Sequence, residues 1–182
     1  MQTRLELRDM ILSAIFAAMI SVLGYVVIPL PFTPVPITGQ SFAIMLAGLT
    51  LTTLQASLSV AIFILLGIVG LPVFSGGASG IAALVGPKGG YIIGFLVAAI
   101  VITLIRRNSN NVVRLALAGF TGGILVVYTL GVLWLSHINN LTLSKAIVFG
   151  ALPFIPGDLL KLFVAVTVAL AVNRQLKTVL KR

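Results

Sequence analysis

Pro153-Phe-Ile-Pro-Gly-Asp158-Leu-Leu-Lys161-Leu-Phe-Val-Ala-Val-Thr-Val-Ala-Leu-Ala-Val172 is the stretch on which the reading of this chain turns. After Lys161 it is apolar except for Thr167, and the helix breakers Pro156 and Gly157 stand directly before its one acid. An apolar helix of about 20 residues crosses the roughly 30 Å hydrocarbon core of a bilayer. The remainder of the chain agrees: of 182 residues, 59% are hydrophobic and 8% charged. A soluble domain keeps its surface wet with roughly 25% charged residues. The chain therefore reads as an all-α integral membrane protein of a single domain, residues 1–182, embedded in the lipid bilayer. It has no cysteine, one histidine and three carboxylates. Disulfides, thiol chemistry, transition-metal cages and His-dependent triads are excluded, and no cofactor or metal is expected.

Working outward, six spans are expected at about residues 10–28, 40–54, 55–70, 90–105, 112–135 and 146–172. The first is closed by Pro29 and followed by Pro29-Leu-Pro-Phe-Thr-Pro-Val-Pro36, which carries no charge. It is too long, and lacks a small-residue cleavage site, for a cleaved signal. The second and third form a hairpin whose polar join, with Thr50, Thr52, Thr53 and Gln55, is also uncharged. Residues 71–89 are Gly-rich yet apolar, as in a re-entrant or capping loop. The sixth span is interrupted at Pro153, Pro156 and Gly157.

A net charge of +9 would suit nucleic acid on a soluble protein; here the positions matter, because excess Lys and Arg mark cytoplasmic loops. With the N-terminus inside, Arg4, Arg8, Arg106, Arg107, Arg114, Arg174, Lys177, Lys181 and Arg182 share the cytoplasmic side, against Lys88 and Lys145 opposite. Both termini are expected in the cytoplasm, the protein is expected to be multi-pass in the cell membrane, and no nucleic-acid partner is expected. Small residues recur at helix-packing spacing: Gly90 with Gly94 and Gly119 with Gly123, read as packing within the bundle, and Ala14 with Ala18, widened by Ala17, read as a smooth face for a separate membrane subunit.

Asp158 is the acid remote from the N-terminus. Sixteen residues of helix place it roughly 24 Å from Arg174, in the outer half of the bilayer. Inserting a carboxylate there costs on the order of 2.5–3.5 kcal/mol, which makes it a functional candidate. Opening a new helix after Pro156-Gly157 favours its charge, and Lys161, three residues on, shares its face. Thr38, Gln40 and Ser41 add neutral donors and acceptors where the second span begins, with Thr38 or Ser41 suited to capping it. Leu71-Pro-Val-Phe-Ser-Gly-Gly-Ala-Ser-Gly80 and Gly86-Pro-Lys-Gly-Gly-Tyr91 fit neither phosphate-binding glycine pattern. Lys88 and Tyr91 are instead expected to cap a site from outside, with Phe74 and Phe95 as walls. His137 and Trp134 fit an interfacial belt. The implied ligand is small and mixed, with N–H groups for Asp158, an apolar body, and an anionic end for Lys88 or Lys161.

Four segments carry a resemblance: Pro31-Phe-Thr-Pro-Val-Pro-Ile-Thr38-Gly-Gln40, Gly70-Leu-Pro-Val-Phe74, Gly86-Pro-Lys-Gly-Gly-Tyr-Ile-Ile-Gly-Phe95 and Phe154-Ile-Pro-Gly-Asp158-Leu-Leu-Lys161. Together they resemble the BioY family, the biotin-binding membrane subunits (S components) of energy-coupling-factor (ECF) vitamin transporters. The resemblance implies a six-helix S component, not itself an enzyme. Its Ala14/Ala18 face would dock a transmembrane coupling subunit, and two cytoplasmic ATPases would supply the energy. It also implies that Asp158 and Lys161 hold the ureido head of biotin, with Thr38 and Gln40 nearby; the family varies at the loop position of Lys88. Two alternatives stay open from the residues: an S component for another vitamin, and a stand-alone carrier in which Asp158 couples a proton. An intramembrane enzyme lacks the second carboxylate or histidine that acid–base chemistry needs.

Overall fold

The computed structural model describes residues 6–179, the last four of them by backbone only. Arg4, Lys181 and Arg182, counted above among the cytoplasmic charges, lie outside the described residues, and so does the side chain of Lys177. Helix α1 (Leu7–Leu23) opens with a reciprocal capping box between Glu6 and Asp9. It ends at Gly24 rather than running to Ile28. Val27–Ile28 (β1) instead pairs antiparallel with Ile37–Thr38 (β2), Val27 opposite Thr38. β-branched residues and a proline-dense segment favour extended backbone over helix. This ribbon, with an isolated bridge between Phe74 and Ala78, departs from the all-helical expectation.

Helices α2 (Gln40–Thr50) and α3 (Thr53–Ile68) follow. Their join falls at Leu51–Thr52, inside the expected polar stretch from Thr50 to Gln55, because Thr52 and Gln55 form a capping box that starts α3 there. A short α4 (Ile81–Val85) then leads into α5 (Gly89–Arg106). Helix α6 (Val112–Gly119) runs through a π-helical segment, Phe120–Val126, into α7 (Val127–Ile138). The expected sixth span divides at its prolines into α8 (Leu143–Gly150) and α9 (Ile155–Val179). Three of these rods, residues 89–106, 112–138 and 155–175, are long and apolar enough to cross a membrane, while α2 and α3 are shorter apolar helices. Helix α2 is central, packed against α1, α5 and α9, with Ala43, Ile44, Met45, Ala47 and Leu49 buried.

Arg106, read from the sequence as a loop charge, is only 7% exposed. It crosses from the end of α5 to the α2–α3 join, donating from Nη1 to the Leu49 carbonyl at 2.9 Å and from Nη2 to the Leu51 carbonyl at 2.7 Å. Asn173 of α9 donates to the same Leu49 carbonyl at 3.1 Å. The join thus has a cation of its own, supplied from distant sequence. Orphan carbonyls at a helix C-terminus need such donors, and a guanidinium meets two at once. At the start of α1, Asp9 accepts from the Gln55 side chain at 2.7 Å, and Ser13 donates to the Gln55 carbonyl at 3.1 Å. These contacts gather the N-terminus of α1, the α2–α3 join and the C-terminus of α5 at one end of the bundle.

The glycine pairs serve packing inside the chain. A Cβ at Gly90 would strike Trp134 and Leu130 of α7, one at Gly119 would strike Leu162 of α9, and one at Gly123 would strike Met45 of α2. Ala14 and Ala18 are exposed on α1, whereas Ala17 is buried beside Ser13 and Ile20 against α3. Ala17 therefore does not widen the exposed strip; at about 100° per residue it falls on the inward face.

Candidate functional site

At the opposite end of the bundle a cavity of about 70 Å³ opens beneath the ribbon and the Gly-rich loop. All seven residues singled out from the sequence line it: Thr38, Gln40, Phe74, Lys88, Tyr91, Asp158 and Lys161. They come from β2, α2, the loop after α3, the turn that leads into α5, α5 itself and α9, so the fold assembles one site from segments far apart in sequence.

Its polar floor is built around Asp158, which sits in the first turn of α9 and is 5% exposed. The Asp158 Oδ1 atom accepts from Lys161 Nζ at 2.8 Å and from Ser41 Oγ at 2.9 Å, and Oδ2 accepts from the Tyr128 hydroxyl at 2.7 Å. The Lys161 ammonium also donates to the Thr38 carbonyl at 2.7 Å and to Ser41 Oγ at 3.0 Å. An ammonium has three N–H donors, and all three of Lys161's are engaged. A carboxylate has about four lone-pair directions; three on Asp158 are taken, and the remaining one lies on Oδ2.

The other members play different parts from those their chemistry first suggests. Thr38 serves the network with its carbonyl, while its hydroxyl accepts the Gln40 backbone N–H at 3.3 Å. The buried Gln40 side chain donates to the Val73 carbonyl at 3.2 Å and so fastens the Gly-rich loop to α2. Phe74 meets Phe63 edge to face with ring centres 5.3 Å apart, and it lies so close to Gly67 that a Cβ there would overlap its ring. Tyr91 is not an outside cap. It is buried in the wall and donates to the Gly150 carbonyl at 2.7 Å. Trp134 likewise does more than sit in a belt: its indole N–H donates to the Gly86 carbonyl at 2.9 Å and holds the segment before α5. The half-buried Lys88 has no side-chain hydrogen bond or ion pair among the described residues, and desolvation lowers its pKa from the ordinary 10.5. Among the described residues no group of three or more His, Cys, Asp or Glu gathers to hold a metal ion.

The family model for BioY matches residues 1–178. The chain belongs to the BioY family. BioY relatives include the "Biotin transporter BioY" of Rhizobium etli, 39% identical over 174 residues that cover 91% of this chain and 92% of that protein. The "Biotin transporter BioY" of Thermotoga maritima is 38% identical over 168 residues, 92% of this chain and 97% of that one. Among solved structures, the S-component for biotin from an ECF-type ABC transporter superposes with a TM-score of 0.88 at 32% identity, covering 96% of this chain and 95% of that chain.

In this BioY chain the sequence reading missed Tyr128 as a partner of Asp158 and weighed Ser41 only as a neutral helper or cap. The available signal for Tyr128 was a phenol in an otherwise apolar span, where a buried hydroxyl needs an acceptor. Its direction could not be read, because the π-helical segment before it breaks the 3.6-residue register.

Proposed function

We propose that this chain captures biotin at the outer face of the membrane, as the substrate-binding subunit of an ECF-type uptake transporter. The observation that carries the reading is the Asp158 network at the floor of an apolar cavity, in a fold superposable on a biotin S-component. The ureido head of biotin enters first, and one of its N–H groups donates to the free direction on Asp158 Oδ2. Hydrogen bonds to a charged partner contribute about 1.5–3 kcal/mol each. Lys161 pairs with Asp158 and orients it, and Ser41 and Tyr128 fix the carboxylate plane. Phe74, Tyr91 and Phe95 enclose the sulfur-bearing ring, with Thr38 and Gln40 bordering the head. A cationic vitamin such as thiamin is disfavoured by the two lysines.

Six crossings, formed by α1, α2, α3, α5, α6–α7 and α9, put both termini in the cytoplasm. The grouping of Arg8, Arg106, Arg107, Arg114 and Arg174 towards the bundle end away from the cavity supports that orientation. The exposed Ala14/Ala18 strip docks the transmembrane coupling subunit, whose two ATPases supply the energy; small residues allow the close helix approach this needs. Titrating the purified chain with labelled biotin tests the reading. Saturable binding displaced by unlabelled biotin but not by thiamin supports it, and no saturable binding refutes it. Uptake into vesicles that needs the ATPase module, and ignores an imposed pH gradient, separates capture from proton-coupled carriage.

A further inference from the structure

A cleft of about 640 Å³ opens at the end of the bundle away from the biotin cavity, between the start of α1, the α2–α3 join, the turn after α5 and the last turns of α9. Helices α1 and α9 each pack against α2 and, among the described residues, hardly touch one another. The cleft is polar at the helix ends and apolar farther in. Along α1, Leu12 and Phe16 stand one and two turns deeper in the bundle than Arg8, and Val172 of α9 also lines the space. A recess that is polar at the membrane surface and apolar towards the hydrocarbon matches the two halves of a lipid.

Arg106 borders this cleft with an unmet charge. It is 7% exposed, its two hydrogen bonds go to neutral carbonyls, and its Nε is buried without a partner. It has no ion pair among the described residues. Buried charges are ordinarily paired and buried donors satisfied, so an anion is what this wall lacks. Asn108 and Asn110 of the same wall make no side-chain hydrogen bond among the described residues. The α1 wall is of the opposite kind. Asp9 accepts from Gln55 Nε2 at 2.7 Å and from the Glu6 N–H at 3.3 Å, which leaves about two of a carboxylate's four acceptor directions open; Glu6 is exposed beside it. The cleft's two arginines, Arg8 and Arg106, balance its two acids. We propose that it binds one phospholipid whose head carries both a phosphate and a primary ammonium, a phosphoethanolamine head. The phosphate sits on Arg106, Asn108 and Asn110, the ammonium on Glu6 and Asp9, and the acyl chains run along Leu12, Phe16 and Val172. With both termini in the cytoplasm, this is a lipid of the cytoplasmic leaflet. A phosphocholine head offers the carboxylates no N–H, and a phosphoglycerol head brings them no cation.

The test titrates the purified full chain in detergent with dihexanoyl phosphatidylethanolamine, its choline and glycerol counterparts, free phosphoethanolamine and inorganic phosphate. Native mass spectrometry reads bound lipid, and the thermal unfolding midpoint reads its effect. The ethanolamine lipid should half-saturate at a concentration at least about tenfold below the choline lipid's, the worth of one charge-assisted hydrogen bond, and severalfold below the glycerol lipid's. Free phosphoethanolamine and inorganic phosphate should need at least about tenfold more than the ethanolamine lipid, since they bury no apolar chain. Asn108 and Glu6 are exposed, so variants there should unfold as cooperatively as wild type. Asn108→Asp, which sets a carboxylate against the phosphate, should weaken the ethanolamine lipid severalfold, and Glu6→Gln should shrink its advantage over the choline lipid. Equal affinity for ethanolamine and choline lipids would overturn the head-group assignment, and so would an Asn108→Asp variant that binds as wild type does. Inorganic phosphate binding as tightly as the lipid would overturn the lipid as source. No saturable binding of any lipid would overturn the proposal and leave the cleft to a protein partner. None of these readouts depends on biotin.

Discussion

Replacing Asp158 by asparagine removes one negative charge and changes the side chain's shape very little. The amide oxygen can keep the bonds from Ser41 at 2.9 Å and Lys161 at 2.8 Å. The amide NH₂ then stands where Oδ2 accepted the Tyr128 hydroxyl, and Tyr128 must turn from donor to acceptor. Two separate losses follow. For the ligand, an N–H that met a carboxylate now meets a donor; the difference between a charged and a neutral bond is about 1.4 kcal/mol or more, at least tenfold in Kd. For the fold, Lys161 loses its counter-ion, and the chain's other acids, Glu6 and Asp9, lie at the far end of the bundle. Stranding one member of a buried pair costs roughly 3–5 kcal/mol. The Lys161 side chain keeps 20% of its exposure and two neutral acceptors, so about 2 kcal/mol is expected here. Calorimetric titration reads the first loss and thermal unfolding of the ligand-free protein reads the second. Adding Lys161→Met to Asp158→Asn should restore much of the stability and none of the affinity. Affinity of Asp158→Asn within twofold of wild type would refute the role assigned to the carboxylate.

The other expectations concern separate parts of the molecule. Arg106→Met should lower the ligand-free protein's stability by about 2–3 kcal/mol, because the Leu51 carbonyl loses its donor and the Leu49 carbonyl keeps only Asn173; an unchanged midpoint in thermal unfolding would contradict this, and Arg106→Lys should not rescue it. Ala14→Trp should leave biotin binding unaltered and abolish partner-dependent uptake, since an indole holds the docking helices apart; uptake at the wild-type rate would move the docking face elsewhere. With Lys88 as the partner of the ligand's anionic end, as expected from the sequence, the preference for free biotin over its primary amide should fade as pH rises. Lys88 attracts a carboxylate only when protonated, and desolvation lowers its pKa, so the decline should begin below the range in which an ordinary lysine titrates, about pH 10.4. Tyr91, Tyr128, Asp158 and Lys161 are the other titratable groups lining that cavity. Lys88→Arg should hold the preference flat, and a wild-type ratio constant to about pH 10 would contradict the assignment.

What could be read from the sequence was whatever stood out against an apolar background. An acid and an amine three residues apart behind a Pro-Gly break are conspicuous in such a chain, and their pairing follows from helical spacing. Gln40 is conspicuous for the same reason, although its amide turns out to fasten a loop. Helix faces were harder. In lipid, outward and inward residues are both apolar, so the periodicity that orients a soluble helix is weak; Phe163 on α9 is exposed while its neighbour Leu162 is buried, and nothing in their chemistry tells them apart. Ala17 was misplaced on the Ala14/Ala18 strip for that reason. Arg106 was assigned to a loop because charge at a span's end ordinarily is. Its partners are backbone carbonyls, which every residue has and no sequence pattern marks. Tyr128 required both the helix face and the register change of the π segment to be known.

Determining the structure with biotin bound would show which end of the ligand meets Asp158. The expected result is the ureido ring at the cavity floor, with an N–H within hydrogen-bonding distance of Asp158 Oδ2 and the acid tail reaching out towards Lys88. A ligand bound head outward, or seated away from Asp158 altogether, would contradict it.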